Sequence, residues 1–293
     1  MIDDAILAAI ASRLTVASTL PALRYRTVVI EGVDVGRVDD ARASRLAAFD
    51  CFRVTDDAVI LDPRLGEPGI RSAALAAVAL ALRREGALPA WRDELYAIAP
   101  GFGRPPLCVV ERGAARYFGL CTYAAHVNGV VLENGETRMW LARRSRRKAV
   151  DPGLLDNLVG GGIAAGMRVD ETLVKEAREE AGIEESLARC ARPAGLVHTR
   201  KAVVDGLQRE TLFVHDLALP QDFVPQNTDG EVSEHRLVPL DDVARMLAQG
   251  QGPDAVAIDA SLVALDFLLR HGAIAPDAPG YLTLQRLVRL PLG

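Results

Sequence analysis

Glu176, Glu179 and Glu180 stand at i, i+3 and i+4 in VDETLVKEAREEAGI, a stretch that reads as a short helix. At about 100° of rotation per residue the three carboxylates share one arc of that helix. Their mutual repulsion costs each pair a few tenths of a kcal/mol. A hard divalent cation reverses the sign, because Mg2+ takes carboxylate oxygens and bridges to substrate phosphates. Before the helix lie Gly160, Gly161, Gly162 and Gly166, residues that permit unusual backbone angles and close approach to a ligand. An E-x-x-E-E string alone also describes a solvated acidic face. Here, however, Leu173, Val174, Ala177 and Ala181 form an apolar arc beside the acids, Asp170 fits an N-cap, and Gly182 fits a C-cap. Loop, cap, spacing and stop agree on a metal–diphosphate site. Its expected ligands are Glu176, Glu179 and Glu180, and its expected ion is Mg2+, with Mn2+ as the alternative.

The elements that must position this segment are legible as patterns. A helix is expected over 3–14, a strand over 25–31, and a strand end running into a helix over 35–48. Residues 52–62 suggest a hairpin turning at Asp56-Asp57, and 70–84 a helix stopped by Gly86. A Pro/Gly-rich passage, 100–106, reads as a linker or surface loop. Farther on, Asn134-Gly135 and Asp205-Gly206 each join two apolar runs as hairpin turns. A strand enters a helix near Leu240, and 254–270 forms an amphipathic helix. This order is consistent with a mixed sheet covered on both faces.

The glycine–glutamate segment resembles the Nudix box, G-x5-E-x7-R-E-U-x-E-E-x-G-U with U aliphatic. Gly161 opens it, Lys175-Glu176 stands for R-E, Glu179-Glu180 for E-E, and Gly182-Ile183 for G-U. Met167 replaces the first Glu and Lys175 the Arg, and Lys lacks the planar fork with which Arg orients a carboxylate. The resemblance extends to WRDELY (91–96), ERGAARYFGL (111–120), the H-x-N-G string at 126–129, and the stretches around 139–166 and 227–243. These are similar to the Nudix domain fused to thiamine pyrophosphokinase in some fungi, where an extra N-terminal domain precedes the catalytic one and the first box Glu is commonly absent. The implied fold is α/β of the mixed, α+β kind: a Nudix α/β/α sandwich over 113–293, preceded by a smaller α+β unit over 1–112. The implied substrate is thiamine diphosphate or its oxidised, damaged analogues, released as the monophosphate.

Other residues complete the expected site. Glu231 and Glu234, in TDGEVSEH, lie where such folds approach their metals, and with Glu179 and Glu180 they are the candidate catalytic carboxylates. Each of Glu231, Glu234 and Glu179 is a candidate to take a proton from water. Arg144, from the basic run 143–148, matches the family's R-S position and is expected on the terminal phosphate. His126 and Asn128 fit structural hydrogen bonding or ligand contact, and Gly161 and Gly162 approach the substrate. Trp91 and Tyr96 offer ring faces to a thiazolium cation, or an anchor between the two units. His198 and Arg200 are weaker candidates.

Composition narrows the alternatives. The chain has 293 residues, 49% of them hydrophobic, and a formal net charge of -5, which argues against coating nucleic acid. Only Lys148, Lys175 and Lys201 are lysines. The apolar run near 73–82 is too short to span a bilayer, and the acidic N-terminus argues against a secretory signal, so a cytoplasmic enzyme without a membrane or nucleic-acid partner is expected, as a monomer or homodimer. Four scattered cysteines indicate neither a zinc ribbon nor a disulfide framework. Competing readings are hydrolysis of another nucleoside diphosphate derivative such as ADP-ribose, isopentenyl diphosphate isomerisation, and ligand sensing. Isomerisation needs a reactive cysteine, for which Cys121 and Cys190 lack a context. Sensing is disfavoured by the retention of all three glutamates.

Overall fold

Alternating burial along short strands builds the core of the first unit. The computed structural model describes residues 2–289. Helix α1 (Asp4–Ser18) is followed by β1 (Tyr25–Ile30), β2 (Val33–Asp39), α2 (Asp40–Leu46), β3 (Phe52–Val54), β4 (Ala58–Leu61) and α3 (Pro68–Arg84). The four strands form one sheet in the order β2-β1-β4-β3, with β1 and β4 parallel. Val28, Ile30, Val59 and Leu61 face inward on alternate positions and pack against Leu75, Val78 and Leu82 of α3. A separate ribbon, β5 (Leu95–Ile98) with β6 (Cys108–Glu111), joins the same core, and the expected loop at 100–106 connects its strands.

The second unit is a three-layer α/β/α sandwich, with one core on each face of its sheet. Its elements are β7 (Cys121–Glu133), β8 (Glu136–Arg144), β9 (Leu155–Asn157), β10 (Val159–Gly162), α4 (Val169–Ala181), α5 (Glu185–Ala188), β11 (Arg192–Val203), β12 (Gly206–Ala218), β13 (Val232–Pro239), α6 (Leu240–Ala248), α7 (Ile258–Arg270) and α8 (Tyr281–Val288). The mixed sheet runs β11-β12-β7-β8-β13, with β10 added to β7 and β9 to β8. Leu173, Ala177 and Ala181 of α4 pack on Ala125, Val127 and Val131 on one face. On the other face lies α7, surrounded by α1, α6 and α8. α1 therefore packs in the second unit, although its sequence falls within the expected 1–112 unit. Leu7, Ile10 and Leu14 are buried there, and Arg13 donates to the Leu247 carbonyl at 2.7 Å.

Three local expectations shift. Helix α7 starts at Ile258 instead of 254, because residues 255–257 extend the ladder beside β9: Leu155 N–H donates to Ala255 O and Ala257 N–H to Leu155 O. The second hairpin turns at Val204-Asp205, and Gly206 already pairs with Val203. A side chain at Gly206 would meet the Arg116 carbonyl at 2.0 Å, so glycine lets this hairpin seat against the first unit, whose core runs on to Leu120, past the expected end at 112. Helix α4 is capped at Arg168, whose N–H is taken by Glu171 at 3.0 Å, with Asp170 in the first turn. Gly182 ends the helix in the left-handed region at φ 64°, as expected.

Candidate active site

Three glycines in β10 let the box helix and the N-terminal unit meet across one thin strand. A Cβ on Gly161 would lie 2.2 Å from Glu176 Cγ, and one on Gly162 would lie 1.9 Å from the Tyr96 hydroxyl. Glu176 thus lies against one side of the strand, while Tyr96 and Arg112, both brought by the first unit, close over the other. The cavity enclosed by these elements has a volume of about 350 Å³ and is lined by residues of both units. That is the size of a small-molecule site.

Charge organises the cavity. Glu176, Glu179 and Glu231 line it together with Lys148, Lys175 and Arg112. Lys175, standing where the box has Arg, reaches both Glu176 at 3.0 Å and Glu179 at 3.1 Å. It holds the two carboxylates as a point charge. Glu180 is buried behind the glycine strand, where it accepts from Gly160 N–H at 2.8 Å and from Lys148 at 3.4 Å. Burial, reinforced by Asp156 and Glu176, pushes its carboxyl up to about 8 against the pull of Lys148. Burial likewise raises Glu176, with Glu179 adding to it and Lys175 opposing. For Glu231 the balance is opposite: burial pushes up, but the hydrogen bond and charge of Lys148 outweigh it and hold the carboxyl below its ordinary value.

Among the described residues, no three His, Cys, Asp or Glu side chains converge into a metal-ligating cluster. The reason is visible. Lys148 Nζ wedges between Glu180 and Glu231, and Lys175 occupies Glu176 and Glu179. Ammonium groups fill the positions where positive charge is demanded. An all-oxygen donor set, with like charges buried side by side, fits a hard cation such as Mg2+.

Several expected site residues are placed otherwise. Glu234 does not line the cavity; its carboxylate is taken by Arg143 at 2.6 Å and Arg236 at 2.7 Å. Trp91 also lies outside the lining, with its ring covered by Arg83 at 4.4 Å and its Nε1 donating to Asp93. It packs against the first core. Tyr96 does line the cavity, yet Arg112 lies over its ring at 5.4 Å. Asn128 is fully buried between Asp216 and Asn157 and holds strands together. His126 lines the cavity with its Nδ1 2.8 Å from Asn157 Oδ1. Arg144 lines it too, but its guanidinium pairs with Asp156 at 2.6 Å and donates to the Val150 carbonyl. His198 and Arg200 are not among the lining residues; His198 Nδ1 instead lies 3.0 Å from Thr211 Oγ1. Sequence reasoning missed Arg112 and Arg116, which line the cavity from the first unit, although ERGAARYFGL contains both. Gln208, Glu210 and Asp259 were also missed, and no local pattern marks them.

Residues 123–259 match the family described as NUDIX domain, and residues 10–122 match one described as a domain of unknown function, DUF4743. Nudix hydrolase 24, chloroplastic, of Arabidopsis thaliana is 45% identical over 264 residues, covering 89% of this chain and 72% of the relative. Nudix hydrolase 20, chloroplastic, of the same plant is 41% identical over 239 residues, covering 82% and 63%. An uncharacterized protein of Saccharomyces cerevisiae, YJR142W, is 34% identical over 209 residues, covering 66% and 59%. The chain thus spans less than two thirds of the length of the latter two. The glutamate helix, its glycine strand and the sandwich that carries them agree with these likenesses, and the chain belongs to the Nudix hydrolase family.

Proposed function

We propose that the chain is a Mg2+-dependent hydrolase, able to use Mn2+, that cleaves the diphosphate linkage of a small organic diphosphate. The substrate we favour is thiamine diphosphate or its oxidised analogues, with the monophosphate and phosphate as products. One observation carries this reading: the box carboxylates Glu176 and Glu179 and the cations Arg112, Lys148 and Lys175 line the same cavity. A diphosphate has concentrated negative charge and needs both kinds of group.

Glu176, Glu179 and Glu180 would hold the ion, which supplies charge neutralisation and acidifies water when bound. Arg112 would take phosphoryl oxygens through its remaining donors, since its one ion pair among the described residues, to Glu94 at 2.6 Å, uses only Nη1. Lys148 would release Glu180 to the ion, turn toward phosphate and keep Glu231. Lys175 keeps Glu176 and Glu179 oriented. Glu231, half-buried and held ionised by Lys148, is our choice to receive a proton from water. Most of the rate gain then comes from positioning and electrostatics.

The test is phosphate release from a panel of thiamine diphosphate, oxidised thiamine diphosphate, ADP-ribose and dinucleotides with Mg2+. The thiamine compounds are expected to be turned over fastest. Glu180→Gln is expected to lose at least about 100-fold in kcat, while the metal-free protein keeps its Tm because the amide oxygen still accepts from Gly160. No turnover of any diphosphate, with Glu180→Gln matching wild type, would overturn the hydrolase reading. Faster turnover of ADP-ribose would overturn only the choice of substrate.

A further inference from the structure

Arg92 lines the cavity from the turn that leads into β5, and its side chain is exposed. Its guanidinium makes no hydrogen bond or ion pair among the described residues. The two acids that follow it in sequence are used elsewhere. Asp93 Oδ1 accepts from Trp91 Nε1 at 2.6 Å, and Glu94 Oε2 accepts from Arg112 Nη1 at 2.6 Å. The N–H donors of Arg92 thus stand at the cavity without a protein acceptor.

The backbone beneath Arg92 is fixed. Glu111, 5% exposed, accepts from Arg92 N–H at 2.8 Å and from Gly113 N–H at 3.1 Å, both through Oε1. Burying a carboxylate is costly unless such donors hold it. This one ties the Arg92 turn to the turn that carries Arg112. Gly113 permits the approach, because a Cβ there would lie 2.6 Å from the Ala90 carbonyl oxygen. Asp93 closes the turn in the left-handed region at φ 56°, and Arg112 N–H donates to Glu94 O at 2.8 Å. Both arginines therefore leave one corner of the first unit. Their charges reach the same carboxylate of the other unit: burial raises Glu231, and Lys148, Arg92 and Arg112 together hold it below its ordinary value.

We infer that Arg92 is a phosphate-binding residue: with Arg112 it forms a clamp, supplied by the first unit, on the phosphoryl group that lies beside Glu231. The inference rests on the diphosphate reading of the same cavity and gives the N-terminal unit a part in the chemistry. A guanidinium fork matches two phosphoryl oxygens and stabilises the charge that develops there as water attacks. Arg92 reaches the phosphate without breaking a protein contact, whereas Lys148 must first release Glu180.

The experiment measures calorimetric binding of methylenediphosphonate, whose bridge cannot be hydrolysed, to the full chain with Mg2+. Arg92→Met is expected to bind it at least about tenfold more weakly than wild type, at an unchanged Tm. Arg104→Met removes an equal charge from an exposed loop residue outside the cavity lining and is expected to match wild type. Arg92→Lys keeps the charge but not the fork; it is expected to weaken binding about threefold and serves if the methionine variant does not fold. Unchanged affinity in Arg92→Met, or in Arg92→Lys where that variant serves, overturns the clamp. So does an equal loss in Arg104→Met, which would mean that long-range charge alone is felt, and so does a wild type that does not bind the diphosphonate. Hydrolysis of the diphosphate panel is read separately. The expected loss of affinity without turnover of any diphosphate upholds the clamp and sinks the hydrolase reading, whereas turnover with unchanged affinity does the reverse.

Discussion

Two arginines hold Glu234, one from β8 and one from its own strand, and they set what this carboxylate can do. Arg236 and Arg143 together pull its carboxyl down to about 2. A folded-state value below the unfolded one stabilises the protein above the unfolded value and loses that contribution as pH falls through the folded one. Acid unfolding of wild type should therefore steepen between about 4.5 and 2, and Glu234→Gln should show a shallower dependence there, measured by urea midpoints against pH. An identical dependence would remove the ion pair from the stability of β13. The sequence offered both Glu231 and Glu234 as candidate bases, with Glu231 only slightly ahead, because both are acids in one loop-to-strand passage. Their difference arises from a β-bulge: the register of β13 against β8 shifts between Val232 and Glu234, and Glu234 pairs with Arg143. Gln208 was invisible because one of its two partners, Asp259, comes from a distant helix.

The short strand β10 governs access between the box helix and the first unit. Its residues pair only with β7 among the described strands, from Val159 against Val127 to Gly162 against Ala124. Gly162→Ala would drive a methyl group into the Tyr96 hydroxyl, so overpacking should cost about 1–3 kcal/mol in thermal or urea unfolding. Adding Tyr96→Phe should recover part of that loss. Strict additivity in the double-mutant cycle would mean that the two residues do not meet. The box helix itself was legible, because amphipathic spacing and the Gly182 stop are local signals. Strands β9 and β10 were not, since three- and four-residue strands rich in glycine carry no period and exist through pairing with β7 and β8.

Two units meet at the cavity, one with its core on β1–β6 with α2 and α3, the other built on the seven-stranded sheet with a core on each face, α1 packing in one of them. The first unit does more than support the fold, since Tyr96, Arg112 and Arg116 complete the cavity wall. Such a juxtaposition cannot be read from a sequence, because it depends on how the Gly206 turn and the Arg116 carbonyl dock. Among the described residues no helix is long and apolar enough to cross a membrane. The central claim is that this cavity gathers metal and diphosphate together, Lys148 yielding Glu180 when both arrive. Its most direct test is a titration of Mn2+ followed by electron paramagnetic resonance, with and without inorganic pyrophosphate. Wild type should bind Mn2+ weakly alone and at least about tenfold more tightly with pyrophosphate, and Glu176→Gln should abolish that gain. Mn2+ binding that is absent in wild type, or unaffected by either pyrophosphate or the substitution, would contradict the account.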